Sequence, residues 1–330
     1  MTSSNQYTFA ATVPTIIQAA YRKIGVIAED ETPTAGMTAD ATVAFNSMLK
    51  EWAASGIHIW TTQEAILFLQ KGQARYLLGT GTSPTPATHC CDAFSYDISQ
   101  IATNAALGAS TITLADSTGF TNGDQIGVVL DSGFTQWTTI NGVPVGNVVT
   151  LAAVLIGSAS VNNFVFAYPT SATIQSPLRV PSARRIAWQG LIETPMTRLS
   201  RQEYMDYPNK NNPGVSTQFF YAPELLNGVP HGQFYAYLSP QDSSSGARFT
   251  YARPLQDVTT NPSQSGDFPI EWINACTWNL AAELMDEFDI NQIRWQRVKA
   301  MAAEKLEMVR GWDREPENVQ FGIDYDQTAR

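Results

Sequence analysis

The sequence predicts an α+β protein. Antiparallel α-helical hairpins from the two ends of the chain form a helical core, and a large β-rich insertion contains a second, small β-sandwich or barrel domain. Three observations predict this. Apolar residues recur at helical spacing most strongly near the two ends, aromatic residues alternate with small or polar ones through the middle, and residues 76–178 contain no Lys, Arg or Glu. The implied organisation is a helical core from 1–63 and 267–330 ending in an extended C-terminal arm, a β-rich domain from 64–79 and 169–266, and an inserted β domain from 80–168.

The first helix follows Pro14: "PTIIQAAYRKIG" puts Ile17, Ala20, Tyr21 and Ile24 on one face, with Gly25 as a stop. In "TADATVAFNSMLKEWAASG", Thr38 is the expected N-cap, Ala41, Phe45, Met48 and Trp52 make the stripe, and Gly56 ends it. The matching pair comes late. "DFPIEWINACTWNLAAELMDEF" has Asp267 near the cap, Pro269 in the first turn and the stripe Ile273, Cys276, Leu280, Leu284. Asp289 is the expected cap of "INQIRWQRVKAMAAEKLEMVR", which Gly311 closes. A two-helix hairpin cannot bury enough apolar surface alone, so the two pairs are expected to pack together.

Between them, "EAILFLQKGQARYLLG" reads as two strands around Lys71-Gly72, and "TQFFYA", "GQFYAYLSP" and "GARFTYARP" alternate in the manner of half-buried strands. Ser200 and Glu203 form a capping box before one short helix stopped by Pro208. "GTGTSPTPATH" and "PTSATIQSP" flank the inner stretch like matched linkers. Inside it, "STITLA", "DQIGVVL", "QWTTI", "NVVTL" and "FVFAY" are separated by turn pairs such as Asn122-Gly123 and Asn141-Gly142. An autonomous domain so inserted is expected to be removable.

Composition narrows the function. With 330 residues, 44% hydrophobic residues and only 15% charged ones, the chain is a multidomain globular protein rich in β structure and turns. A net charge of −10 argues against a dedicated nucleic-acid binder. The opening residues have no basic n-region, no apolar run approaches a membrane span, and three cysteines make no disulfide framework, so maturation in a reducing cytoplasm is expected. No catalytic, cofactor or metal motif stands out. His58, His89 and His231 lack ligand spacing, "HCCD" at 89–92 has no second ligand pair, "GTGTSP" lacks the Lys-Ser/Thr of a phosphate loop, and Asp116, Asp124 and Asp131 lack EF-hand spacing. Trp272, Trp278, Trp295 and Trp312 crowd one helical region and cannot all share one hairpin face, which makes Trp295 and Trp312 candidates for a subunit or partner interface.

Three stretches resemble the head–tail adaptor proteins of short-tailed bacteriophages, also called packaged-DNA stabilisation or head-completion proteins. They are "TIIQAAYRKIGVIAEDET" continuing through "MTADATVAFNSMLKEWAASGIHIW", "ILFLQKGQARYLLG", and "RFTYARPLQDV" running into "GDFPIEWINACTWNLAAEL". The domain at 80–168 departs from the smaller members of that family. The resemblance implies a structural virion protein with no enzymatic activity and no cofactor, assembled in the host bacterial cytoplasm and placed at the head–tail junction. It implies a homo-oligomeric, dodecameric ring that docks under the portal protein, helps retain packaged DNA and carries tail nozzle, tail tube or fibre proteins. Double-stranded DNA would cross the ring's channel without sequence-specific binding, and an acidic balance suits sliding DNA. "VQFGIDYD" alternates Val319, Phe321, Ile323 and Tyr325, and is expected to dock as an extended arm on a strand edge or groove of the portal. The alternative reading is a carbohydrate-binding or adhesion tail protein that stacks sugars on its aromatic-rich β regions.

Overall fold

The computed structural model describes residues 11–56, 59–79, 88–226, 229–261, 263–288 and 290–312. The chain divides into two compact units, residues 1–61 with 255–330 and residues 62–254.

Among the described residues the protein is mainly β, which corrects the predicted α+β architecture built around a helical core. It contains a barrel-like, nearly closed eight-stranded sheet and a half-barrel six-stranded sheet, with only five α-helices. The physical reason lies in how the two patterns read. A helix concentrates its apolar residues in one periodic stripe, whereas these strands are short and divide theirs between two faces, so each weighs little alone.

The helical unit contains α1 (Val13–Ile24), α2 (Ala35–Ala54), α4 (Ile273–Leu284) and α5 (Gln292–Trp312); the short α3 (Arg201–Asp206) belongs to the β unit. Ile16, Ile17, Tyr21, Phe45, Trp272 and Leu280 are among the fully buried members of its hydrophobic cluster. Each such large side chain contributes about 1.5–3 kcal/mol. Several ends differ from expectation. Thr34, not Thr38, caps α2 by accepting from the Met37 amide. The residues after Pro269 form a 3-10 turn, Ile270–Trp272, before α4 begins. Asn291 Oδ1 accepts from the Ile293 amide at the start of α5, while Asp289 lies outside the described residues. Gly311 does not end α5, which runs on to Trp312. Charge and amides tie the helices: Arg294 donates to the Ile24 carbonyl at 3.0 Å, against the negative end of α1, and Asn279 of α4 donates to Ala302 of α5 at 3.1 Å.

The β unit runs through β1 (Thr62–Phe68), β2 (Arg75–Leu78), β3 (Cys90–Asp92), β4 (Asp97–Thr103), β5 (Thr111–Leu114), β6 (Gln125–Val129), β7 (Thr135–Thr139), β8 (Val148–Thr150), β9 (Phe164–Tyr168), β10 (Arg179–Ala187), β11 (Ile192–Arg198), β12 (Pro213–Gly214), β13 (Gln218–Leu226), β14 (Val229–Tyr237), β15 (Ser239–Pro240) and β16 (Ser245–Ala252). The large sheet has the order β2-β14-β13-β11-β10-β16-β1-β3, and the smaller one β7-β6-β9-β4-β5-β8. β12 and β15 form a separate parallel pair. The capping box of Ser200 and Glu203 starts α3 as expected.

β1 and β2, adjacent in sequence, do not pair. β1 lies between β16 and β3, while β2 pairs only with β14 at the opposite end of the sheet. The loop 69–74 therefore spans the gap in the nearly closed sheet. β1 is also buried on both faces. Ala65 and Leu67 join Tyr76, Phe219, Phe234 and Phe249 on one side, and Ile66 and Phe68 join Trp188, Phe166 and Tyr168 on the other. "AILFL" is thus the continuous apolar run of a doubly buried strand. Gly246 sits opposite Phe68, and a Cβ there would lie 2.5 Å from Trp188, so glycine is what lets the indole approach.

The six-stranded sheet alternates cleanly. In β9, Val165 and Ala167 enter its own cluster with Ile101, Ile126, Val128 and Val149, while Phe164, Phe166 and Tyr168 face the aromatic cluster shared with β1 and β10. The segment that reads as an inserted domain is therefore joined to the large sheet twice: by β3 pairing with β1, and by these rings.

Candidate functional site

The loop 69–74 and the aromatic junction form one wall each of a cavity of about 1000 Å³. The loop is held at defined points. The Gln70 amide donates to the Tyr76 hydroxyl at 2.9 Å, the Gly72 amide donates to the Pro240 carbonyl at 2.7 Å, and Gln73 Nε2 donates to the Arg75 carbonyl at 2.9 Å. Lys71 Nζ reaches across to the Ser132 carbonyl at 2.7 Å and lies 5.2 Å from the Phe134 ring. On the far side, Lys210 donates to the Met205 and Tyr207 carbonyls and lies against Tyr204. Tyr235 donates to Gln233, which donates to Glu224 at 2.5 Å.

His89 and Trp137 close the inner end. Their rings stack at 3.9 Å with 7° between planes, and His89 Nδ1 lies 2.9 Å from the Tyr168 hydroxyl. Burial pushes the His89 pKa down to about 4, so the imidazole is neutral at ordinary pH. The neighbouring thiols of Cys90 and Cys91 are buried and pushed well up by the same desolvation, which makes them inert core side chains.

The depressed histidine predicts a pH dependence. The unfolded chain takes up a proton near pH 6.5 that the folded protein refuses until about pH 4, so stability is full above 6.5 and is lost as pH falls across that window. The loss attributable to this group is roughly 3 kcal/mol. Urea unfolding of the protein and of His89→Gln between pH 7.5 and 4 should diverge by about that amount. Parallel curves would show that His89 titrates normally.

The other sequence candidates lie elsewhere. Trp295 is half-buried against the helical cluster, with Lys299 Nζ 4.0 Å above its ring. Trp272 is buried and Trp278 half-buried under Lys23. Trp312 closes α5, but its side chain, like Val319, Phe321, Ile323 and Tyr325, lies outside the described residues. Ile293 and Met308 on α5 are 79% and 62% exposed, and sequence reading missed both because neither is aromatic or off the helical pattern. His231 is buried on β14 and His58 lies outside the described residues. Asp116, Asp124 and Asp131 do not converge: each bonds its own turn or neighbouring loop, through Thr118, Thr121 and Ser160 respectively. Among the described residues no three His, Cys, Asp or Glu side chains group as a metal site, and no helix is long and apolar enough to cross a membrane.

No protein-family model matches the sequence, and no curated protein matches it.

Proposed function

We propose that the protein is a structural subunit of a head-to-tail adaptor ring: it docks under a portal, continues the DNA channel, and offers a platform for tail components. The observation that supports this reading is the meeting of the three stretches that carry the resemblance. Trp52 and Trp60, near the end of the first stretch, pack on Trp272 of the third at ring distances of 5.6 and 4.4 Å. The second stretch contains β1, which pairs in full register with β16 of the third, from Thr62 opposite Ala252 to Phe68 opposite Gly246. Segments about two hundred residues apart in sequence thus build shared cores, which favours a common ancestry of the pieces over chance similarity of each. The exposed apolar residues of α5, Ile293 and Met308, add surface of the kind that ring neighbours cover.

In this reading the alternating segment 319–325 supplies the contact to the portal by strand addition, with Phe321 and Tyr325 filling pockets and the multiplicity of the ring supplying avidity. The test mixes purified protein with portal rings and examines the product by electron microscopy and sedimentation. Rings of this protein stacked coaxially on portal are expected. A variant lacking residues 317–330 should melt at the same temperature and fail to attach. Absence of association at micromolar concentrations would overturn the adaptor reading, and full attachment of the truncated variant would overturn the role of the arm.

A further inference from the structure

The cavity between loop 69–74 and β7 has features that ring assembly does not require. Three buried polar side-chain atoms that line it have no hydrogen-bond partner in the protein: Gln70 Nε2, Gln73 Oε1 and Trp137 Nε1. Buried polar groups are ordinarily satisfied, and one left alone costs about 1–3 kcal/mol. Three in one cavity, two donors and an acceptor, mark a place where something polar belongs. A hydroxyl group both donates and accepts, so a hydroxyl-rich molecule answers this set.

Charge narrows the ligand further. Lys71, Arg75 and Lys210 line the cavity and no Asp or Glu does, in a chain whose net charge is −10. The two ammonium groups are held by carbonyl oxygens and aromatic rings, which orient them without neutralising them. The nearest acid in the network, Glu224, is engaged through Gln233. Tyr235, Tyr204 and Phe134 supply the apolar surface against which the C–H faces of a sugar pack, and Phe134 is half exposed at the rim. The opening suits one or a few monosaccharide units, since ligand sites of this kind measure roughly 300–1000 Å³.

We propose that this cavity is a binding site for an acidic saccharide, a carboxylate-bearing sugar unit within a glycan. The carboxylate meets Arg75 with Lys71 or Lys210, the ring hydroxyls meet Gln70, Gln73 and the Trp137 indole N–H, and the sugar's apolar face lies on the tyrosines. The site is independent of the adaptor reading, because none of its residues lies on α5 or in segment 319–325.

The experiment presents the full-length protein to an array of neutral, uronate-terminated and sialate-terminated oligosaccharides, then titrates the best acidic hit by calorimetry alongside its neutral counterpart and inorganic phosphate. Binding of an acidic glycan at least tenfold tighter than its neutral counterpart, with quenching of tryptophan fluorescence, is the expected result. Arg75→Gln and Gln73→Leu, each checked for an unchanged melting temperature, should each weaken it tenfold or more. Should Gln73→Leu destabilise the loop, Arg75→Gln at its exposed position still decides the matter. Retention of no acidic glycan, equal retention of neutral and acidic ones, phosphate binding as tight as the glycan, or binding unchanged by Arg75→Gln would each overturn the proposal.

Discussion

Removing residues 80–168 by joining Gly79 to Pro169 is expected to give a protein whose β unit no longer folds. The segment carries β3, which pairs with β1, and most of the rings that cover the second face of that strand. Phe68 is 2% exposed and touches Tyr96, Trp137, Phe166 and Tyr168 at centroid distances of 5.0–5.9 Å; all four lie within the deleted span. Deletion would put Ile66, Phe68, Ile186 and Trp188 into water. At about 1.5–3 kcal/mol each this is roughly 6–12 kcal/mol, the size of an entire domain's stability. The sequence suggests the opposite, a removable insert, because linker composition and missing charges are visible in it while a shared aromatic face is not. Soluble yield and near-ultraviolet circular dichroism of the deletion decide the matter; a soluble protein with a cooperative melt near that of the intact chain would show the junction to be dispensable. Phe68→Ala asks the same question with one side chain and should cost about 3–5 kcal/mol in urea unfolding.

Trp272→Ala should destabilise the helical unit by a similar amount, about 3–5 kcal/mol. The indole is fully buried, packs between Trp52 and Trp60, and lies in the one cluster that gathers α1, α2, α4 and α5. Its Nε1 has no partner, so Trp272→Phe gives up area and contacts but no hydrogen bond, and should cost only about 1–2 kcal/mol. Far-ultraviolet circular dichroism through a urea titration measures both. Equal losses for the two variants would place the energy in the indole N–H after all.

The candidate site was only partly legible. "HCCD" stands out in the sequence as a possible metal motif, yet its cysteines are strand residues facing the core, and His89 matters as the ring stacked on Trp137. Nothing in "LQKGQAR" separates Gln70 and Gln73 from ordinary turn residues; they become informative once their amide atoms are seen buried without partners beside three cations. The interface side of the reading shows the reverse bias. Tryptophans attract notice in a sequence, but Trp272, Trp278 and Trp295 all pack on the helical cluster, while Ile293 and Met308 are the residues left in water.

By itself the sequence determined what depends on near neighbours: the stripe of α1, the capping box of α3, the turns at Asn122-Gly123 and Asn141-Gly142, and the alternation of β9. These are settled within a few residues by side-chain spacing, caps and positive φ. Only the tertiary structure decided which strand meets which. Thr62 pairs with Ala252, Leu78 with Gly232, and Leu67 with Cys90, leaving the consecutive β1 and β2 at separate positions in one nearly closed sheet. Hydrogen-bond ladders carry no label of their partner, so the pairing is chosen by which faces bury together. That choice turned a helix-centred expectation into a mainly β protein, and opened a cavity where the ends of the sheet approach.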